Sequence, residues 1–167
     1  MTEQEIISGV LTEFEGLAKH PRPSHHEKEV SDYIVARLAE LGVKARQDEI
    51  YNIIADVPAT PGCENVPLTI LQGHMDMVCV AKPGVAFDPQ KDPIKLVREG
   101  NILRADGTSL GADDGIAVAI SLYLIQQKIQ HGPLRLIFTV DEETNMTGAL
   151  SLSADHVKDA KYVINCD

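Results

Sequence analysis

The chain has 167 residues, 44% of them hydrophobic, and its 25 acidic and 15 basic side chains give a formal net charge of −10. This length and apolar content suffice for one domain with a core and disfavour intrinsic disorder. The acidic excess argues against binding to nucleic acid or to an anionic membrane surface, because both need clustered Lys and Arg.

Three cysteines, Cys63, Cys79 and Cys166, are far apart and form no C-x-x-C pair, so neither a disulfide framework nor a thiolate zinc site is indicated. The first twenty residues lack the basic region of a targeting signal, and the longest apolar run, Ile116–Ile125, is too short to span a bilayer. We therefore expect a soluble, cytoplasmic protein.

The N-terminal part of the chain predicts two helices. Apolar residues over 6–17 recur at helical spacing, and a Pro-rich break at 21–23 ends that helix. Ser24 and Glu27 form a capping-box pattern ahead of a second amphipathic helix, for which Gly42 is the predicted stop.

The middle of the chain predicts strands. Two short strands are expected over 45–49 and 52–57, and 68–71 is apolar on both faces, as in a strand covered by helices on both sides of a sheet. The segments 94–97 and 102–103 flank a Glu-Gly-Asn turn and indicate a hairpin.

The remainder alternates helices and strands. A helix apolar nearly all round is predicted over 114–127, a buried strand over 134–140, a short helix over 148–151 and a last apolar strand over 162–165, also taken as buried. This alternation predicts an α/β fold with a β-sheet flanked by helices on both faces, and the hairpin indicates that the sheet is mixed. Functional residues are then expected at the carboxyl ends of the strands.

Ionisable residues follow three of these strands and open the apolar helix. They are His74 and Asp76 after the first strand, Asp141, Glu142 and Glu143 after the second, Asp167 after the third, and Asp113 and Asp114 at the helix start. Each group alone has an ordinary explanation as an ion pair, a helix cap or a solvated strand end. Together they would repel one another unless a cation neutralised them.

The residue types indicate which cation. One imidazole with carboxylates and no thiolate suits Zn²⁺ or Mn²⁺ better than Ca²⁺. Asp76 points to the same face as His74 and can fix its tautomer, while Asp113 is placed to bridge two metals. Glu142 and Glu143 alternate in direction, so one can bind metal while the other acts as general base. The pattern predicts metal-assisted hydrolysis, suited to an amide.

Three ordered motifs resemble the dinuclear-zinc aminoacylase/carboxypeptidase family of metallopeptidases. They are LQGHMDMVC at 71–79, RADGTSLGADDG at 104–115 and TVDEETNMTGA at 139–149. Within the family, Arg-Pro-Ser at 22–24, Phe-Asp at 87–88 and Asp-Pro-Ile at 92–94 are most similar to the aminoacyl-histidine (Xaa-His) dipeptidases.

The resemblance implies a role for each site residue and two zinc ions, with Mn²⁺ or Co²⁺ as other possibilities. His74 would bind one zinc, Asp167 would complete the shell of that zinc, and Asp76 would orient His74. Asp113 would bridge the two zinc ions, and a cis peptide would join it to Asp114. Glu142 would be the general base and Glu143 a ligand of the second zinc. The implied substrate is a small dipeptide such as Xaa-His.

Members of this family are longer than the chain. They carry a lid or dimerisation domain and a C-terminal catalytic segment with a further metal-binding histidine. The resemblance therefore implies that 1–167 is the N-terminal part of a catalytic domain, inactive alone, and that the full-length enzyme is a homodimer through its lid. The other histidines are expected at the surface; they are His20, His25, His26, His131 and His156.

Two alternatives stay open. Asp114 stands where dipeptidases of this group usually carry Asn and other branches carry Asp, so a tripeptidase, a nonspecific dipeptidase or an N-acyl amino-acid deacylase is also possible. The second alternative is a metal-free binding domain that has lost catalysis, against which the presence of Glu142 argues.

Overall fold

The computed structural model describes residues 1–127 and 129–167. Five strands form one mixed sheet; they are β1 (Ala45–Gln47), β2 (Ile53–Val57), β3 (Thr69–His74), β6 (Leu134–Thr139) and β7 (Tyr162–Asn165). A separate antiparallel hairpin consists of β4 (Leu96–Glu99) and β5 (Ile102–Ala105). The helices are α1 (Glu3–Leu17), α2 (Lys28–Glu40), α3 (Ala112–Gln126) and α4 (Thr147–Ser151).

The strand order is β1-β2-β6-β3-β7. The pairs β1/β2 and β2/β6 are antiparallel, whereas β3 is parallel to both β6 and β7. This confirms the predicted mixed α/β sheet. Because β3, β6 and β7 run in one direction, their carboxyl ends meet at the same edge.

One face of the sheet carries the main core. Ile53, Leu136 and Phe138 are fully buried on this face against apolar residues of α1, α2 and α3. Arg135 points to the opposite face, where its Nη1 donates to the carbonyl of His156 at 2.8 Å. The segment after α4 therefore crosses the second face. No helix within 1–127 or 129–167 is long and apolar enough to cross a membrane.

Two local predictions are wrong. The last strand, β7, is not buried: all four of its residues are exposed, because it lies at the edge of the sheet beside β3. Ser24 and Glu27 do not form a capping box, since Glu27 makes no side-chain cap to α2. Ser24 instead donates to Asp76, and Glu27 accepts the backbone N–H of Asp141.

Candidate metal centre

Two buried side chains form the floor of the site at the carboxyl end of β3. His74 is the last residue of that strand and Asp76 lies two positions further; their side chains are 1% and 0% exposed. His74 Nδ1 is 3.3 Å from Asp76 Oδ1 and 3.0 Å from the Asp76 carbonyl oxygen. The pair thus points one nitrogen of the imidazole, Nε2, away from Asp76.

The Asp76 carboxylate joins three segments of the chain. It accepts hydrogen bonds from Ser24 Oγ at 2.7 Å and from the backbone N–H groups of Glu142 at 3.0 Å and Glu143 at 3.2 Å. Burial alone would raise the pKa of Asp76, but His74 and these donors outweigh it and lower the pKa to about 2. The residue is therefore ionised and fixes the loop after β6 against β3.

The free nitrogen of His74 faces carboxylates. Its Nε2 lies 3.0 Å from Asp113 Oδ1 and 3.8 Å from Glu142 Oε2. Burial by itself would lower the pKa of His74. The hydrogen bond and the charge of Asp76, the hydrogen bond of Asp113 and the charge of Asp114 outweigh burial and raise this pKa to about 9. Binding of a metal ion to Nε2 would therefore displace a proton from the imidazole.

The start of α3 presents two aspartates with different environments. The peptide between Asp113 and Asp114 is cis, and neither side chain caps the helix, whose cap residue is Gly111. Asp113 is 70% exposed and turned toward His74. Asp114 is buried, accepts the backbone N–H of His74 at 3.1 Å, and has a pKa raised to about 6 by burial. Asp113 is thus available as a ligand, while Asp114 anchors β3.

Two sets of ligand atoms lie close enough to hold a cation. One set comes from His74, Glu142 and Glu143 and the other from His74, Asp113 and Asp167, and in each set the atoms lie within 4.8 Å of one another. Burial and the charges of Asp113 and Glu142 raise the pKa of Glu143, a repulsion that a cation would relieve. Imidazole and carboxylate donors without a thiolate suit Zn²⁺, Mn²⁺ or Co²⁺.

The structure brings all six predicted site residues to one edge of the sheet. Among the described residues, these two sets hold only one histidine, His74. The other five do not join it; they are His20, His25, His26, His131 and His156.

Sequence reasoning missed three residues that support the site. The sequence predicts a local helix cap for Ser24 and Glu27, and it marks Arg22 and Ser24 only as part of a Pro-rich break and of the Arg-Pro-Ser motif, without a role at the site. Glu27 and Arg22 are buried and hydrogen-bonded to backbone groups near the site, and Ser24 to the Asp76 side chain. The Arg-Pro-Ser motif at 22–24 is the sequence signal that could have pointed to Arg22 and Ser24.

Residues 70–167 match the model of peptidase family M20/M25/M40. The chain is 38% identical over 155 residues to the cytosol non-specific dipeptidase of Escherichia coli, covering 92% of this chain and 32% of that protein. The aminoacylhistidine dipeptidase of Vibrio alginolyticus is 37% identical, with a TM-score of 0.89 over 95% of this chain and 32% of its own.

A second similar structure is the aminopeptidase PepT of Bacillus cereus, with 27% identity and a TM-score of 0.75 over 95% of this chain and 42% of its own. The chain therefore spans about a third of the length of the two dipeptidases that it matches.

Proposed function

Because the chain belongs to peptidase family M20/M25/M40, we propose that it forms the metal centre of a dipeptidase that hydrolyses Xaa-His or similarly small dipeptides. The observation that carries this proposal is the meeting of His74 with four acidic side chains at the carboxyl edge of the sheet. The similarity to dipeptidases from Escherichia coli and Vibrio alginolyticus supports the substrate class.

The proposed cofactor is a pair of zinc ions, for which Mn²⁺ or Co²⁺ can substitute. His74 and Asp167 would hold one ion, Glu143 the other, and Asp113 would lie between them. Two such ions, when bound, polarise the scissile carbonyl and stabilise negative charge on its oxygen.

Glu142 is the proposed general base. Its side chain is 29% exposed, and its Oε2 lies 3.8 Å from His74 Nε2. It makes no side-chain hydrogen bond to the residues that the structure describes, so its oxygens are free to take a proton from the attacking water. The same carboxyl then returns that proton to the leaving amine.

Asp76 is proposed to act through its neighbours. It orients the His74 imidazole through Nδ1 and places Glu142 and Glu143 by accepting their backbone N–H groups. Ligand and base are thus positioned by one buried carboxylate, as expected of a carboxylate–histidine–metal arrangement.

The test is hydrolysis of β-alanyl-histidine and related Xaa-His dipeptides by the natural polypeptide that contains these 167 residues. We expect activity that a chelator removes and Zn²⁺ restores. Activity unaffected by chelation, or none with zinc bound, would contradict the proposal.

Asp114 favours a second candidate within the same family. As an aspartate at this position it fits a tripeptidase, a nonspecific dipeptidase or an N-acyl amino-acid deacylase, and the relatives include a non-specific dipeptidase and PepT. Comparing kcat/KM for Xaa-His dipeptides, other dipeptides, tripeptides and acylated amino acids separates these possibilities. A catalytically dead binding domain would hydrolyse none of them and bind no zinc.

We also propose a cytoplasmic enzyme, as the name of the Escherichia coli relative states for that protein. Because the chain spans about a third of the dipeptidases that it matches, we propose that it is the N-terminal part of a catalytic domain. On this account the isolated chain is inactive, and the active form is a homodimer through a lid domain.

A further inference from the structure

One buried arginine connects the two elements that supply the ligands. Arg22, in the segment between α1 and α2, is 2% exposed. Its Nη1 donates to the carbonyl of Met75 at 2.8 Å and to that of Asp76 at 3.4 Å, and its Nη2 donates to the carbonyl of Gly111 at 2.5 Å. The guanidinium therefore spans the gap between the end of β3 and the residue that caps α3.

The backbone around Asp113 is shaped to admit this guanidinium. A Cβ on Gly111 would clash with Met77 Sδ and would lie 2.5 Å from Arg22 Nη2, and one on Gly115 would lie 2.6 Å from Arg22 Nη2 and 3.1 Å from Phe14 Cε2. Gly111 also has a φ of +72°, in the left-handed region. The two glycines of the Gly-Ala-Asp-Asp-Gly motif thus leave the space into which the arginine fits.

Burying the charged guanidinium of Arg22 costs free energy. Burial lowers the pKa of Arg22 to about 10. The negative charges of Asp76, Asp114 and Asp113 offset only part of this effect of burial, and Arg22 Nε has no hydrogen-bond partner among the described residues. An apolar side chain of similar size would fill the same volume without desolvating a charge. What the arginine adds is a planar, rigid guanidinium whose N–H groups donate hydrogen bonds to three carbonyl oxygens.

The segment that carries Arg22 is itself fixed to the site. The backbone N–H of Met77 donates to the Arg22 carbonyl at 3.1 Å, and Ser24 Oγ donates to Asp76 at 2.7 Å. Arg22 thus contacts the backbone that follows His74, and Ser24, two residues later, contacts the Asp76 carboxylate beside it.

We propose that Arg22 is a positioning residue of the metal centre, which sets the separation of His74 and Asp113 by joining the end of β3 to the start of α3. This inference rests on the proposed metal-dependent function. Loss of the guanidinium would let the two ligands move apart. Because Arg22 is one of the largest fully buried side chains, the stability of each variant has to be measured beside its zinc affinity.

The experiment uses the natural polypeptide that contains these 167 residues. Its Zn²⁺ dissociation constant is measured by competition with a chromophoric chelator, and its stability without metal is measured by urea denaturation. We expect Arg22→Met and Arg22→Lys to weaken zinc binding about tenfold to a hundredfold, the usual effect of losing a group that orients metal ligands. In Arg22→Ala, added guanidinium at millimolar concentration should restore part of the affinity.

Arg37→Met is the matched control, since Arg37 pairs with buried Glu13 between α1 and α2 and contacts no site residue. We expect it to lower stability and leave the zinc dissociation constant within twofold. Gly115→Ala provides a second route if an Arg22 variant fails to fold: it should weaken zinc binding by crowding the guanidinium without removing it.

Wild-type zinc affinity in Arg22→Met, Arg22→Lys and Gly115→Ala would overturn the positioning role. The positioning role would also be overturned if Arg37→Met lost zinc affinity to the extent that its stability is lowered, as the Arg22 variants do. Failure of the unmodified protein to bind zinc would instead overturn the proposed function, so the two failures are distinguishable.

Discussion

Asp76→Asn removes the negative charge that joins β3 to the loop after β6. Each oxygen of this carboxylate now accepts one backbone N–H, Oδ1 from Glu142 and Oδ2 from Glu143. A carboxamide has only one oxygen, so in either orientation its NH₂ group faces one of these donors. The substitution therefore leaves a partly buried N–H without an acceptor.

The expected loss of stability in Asp76→Asn has two contributions. An unsatisfied buried N–H costs about 1–3 kcal/mol. The pKa of Asp76 is lowered from 3.8 to about 2, which corresponds to about 2 kcal/mol of stability from the ionised form. The two parts overlap, because the same N–H groups depress the pKa. We expect Asp76→Asn to lower the free energy of unfolding at pH 7 by about 2–4 kcal/mol.

The sign of the pH dependence follows from the depressed pKa. Stability from ionised Asp76 is fully present above its unfolded pKa of 3.8 and is lost as the pH falls through about 2. The difference between wild type and Asp76→Asn should therefore shrink between about pH 4 and pH 2. Urea denaturation followed by circular dichroism, with chelator present, measures both effects.

Asp32→Asn is the control, because Asp32 lies on the surface of α2 and pairs with exposed Lys28. Such surface pairs contribute little to stability, so this variant should unfold nearly as wild type does. Equal stability of wild type and Asp76→Asn at pH 7, or a difference that persists unchanged to pH 2, would refute the role given to Asp76.

Three further predictions concern catalysis, packing and metal uptake. Glu142→Gln should lower kcat by about 10²–10⁴-fold and leave the zinc content unchanged. Steady-state kinetics and metal analysis measure the two quantities. Activity within tenfold of wild type would exclude Glu142 as the base. Gly73→Ala should lower the free energy of unfolding by about 1–3 kcal/mol, because its Cβ would lie 2.5 Å from Asp114 Oδ2 and 3.0 Å from Ala117 Cβ; an unchanged melting temperature would contradict this. Since His74 must lose a proton to bind metal and its pKa is about 9, zinc affinity should rise with pH up to that value; calorimetry showing no proton release would count against the assignment.

The meeting of the site side chains at one edge of the sheet could be predicted because its signals are local. His74 and Asp76 directly follow an apolar strand, Glu142 and Glu143 follow another, and parallel strands bring such ends to one edge. The strand and helix types are correct along most of the sheet. The mixed character was inferred from the hairpin, but β4 and β5 lie outside this sheet, and the antiparallel pairs β1/β2 and β2/β6 make it mixed.

What sequence reasoning missed depends on contacts between distant parts of the chain. Arg22 bonds to carbonyls 53 and 89 positions away, and no periodicity links such residues. Ser24 and Glu27 have the spacing of a capping box, but partners in the site compete more strongly for their side chains than α2 does. The burial of β7 was overestimated because an apolar strand at the edge of a sheet has the same composition as one in the middle.

The most direct test of the metal centre is anomalous diffraction at the zinc edge from crystals of the natural polypeptide grown with Zn²⁺. We predict one peak among His74, Asp113 and Asp167 and a second beside Glu143, with Asp113 between them. Zinc bound only at other histidines, or no peak at this edge of the sheet, would contradict the account.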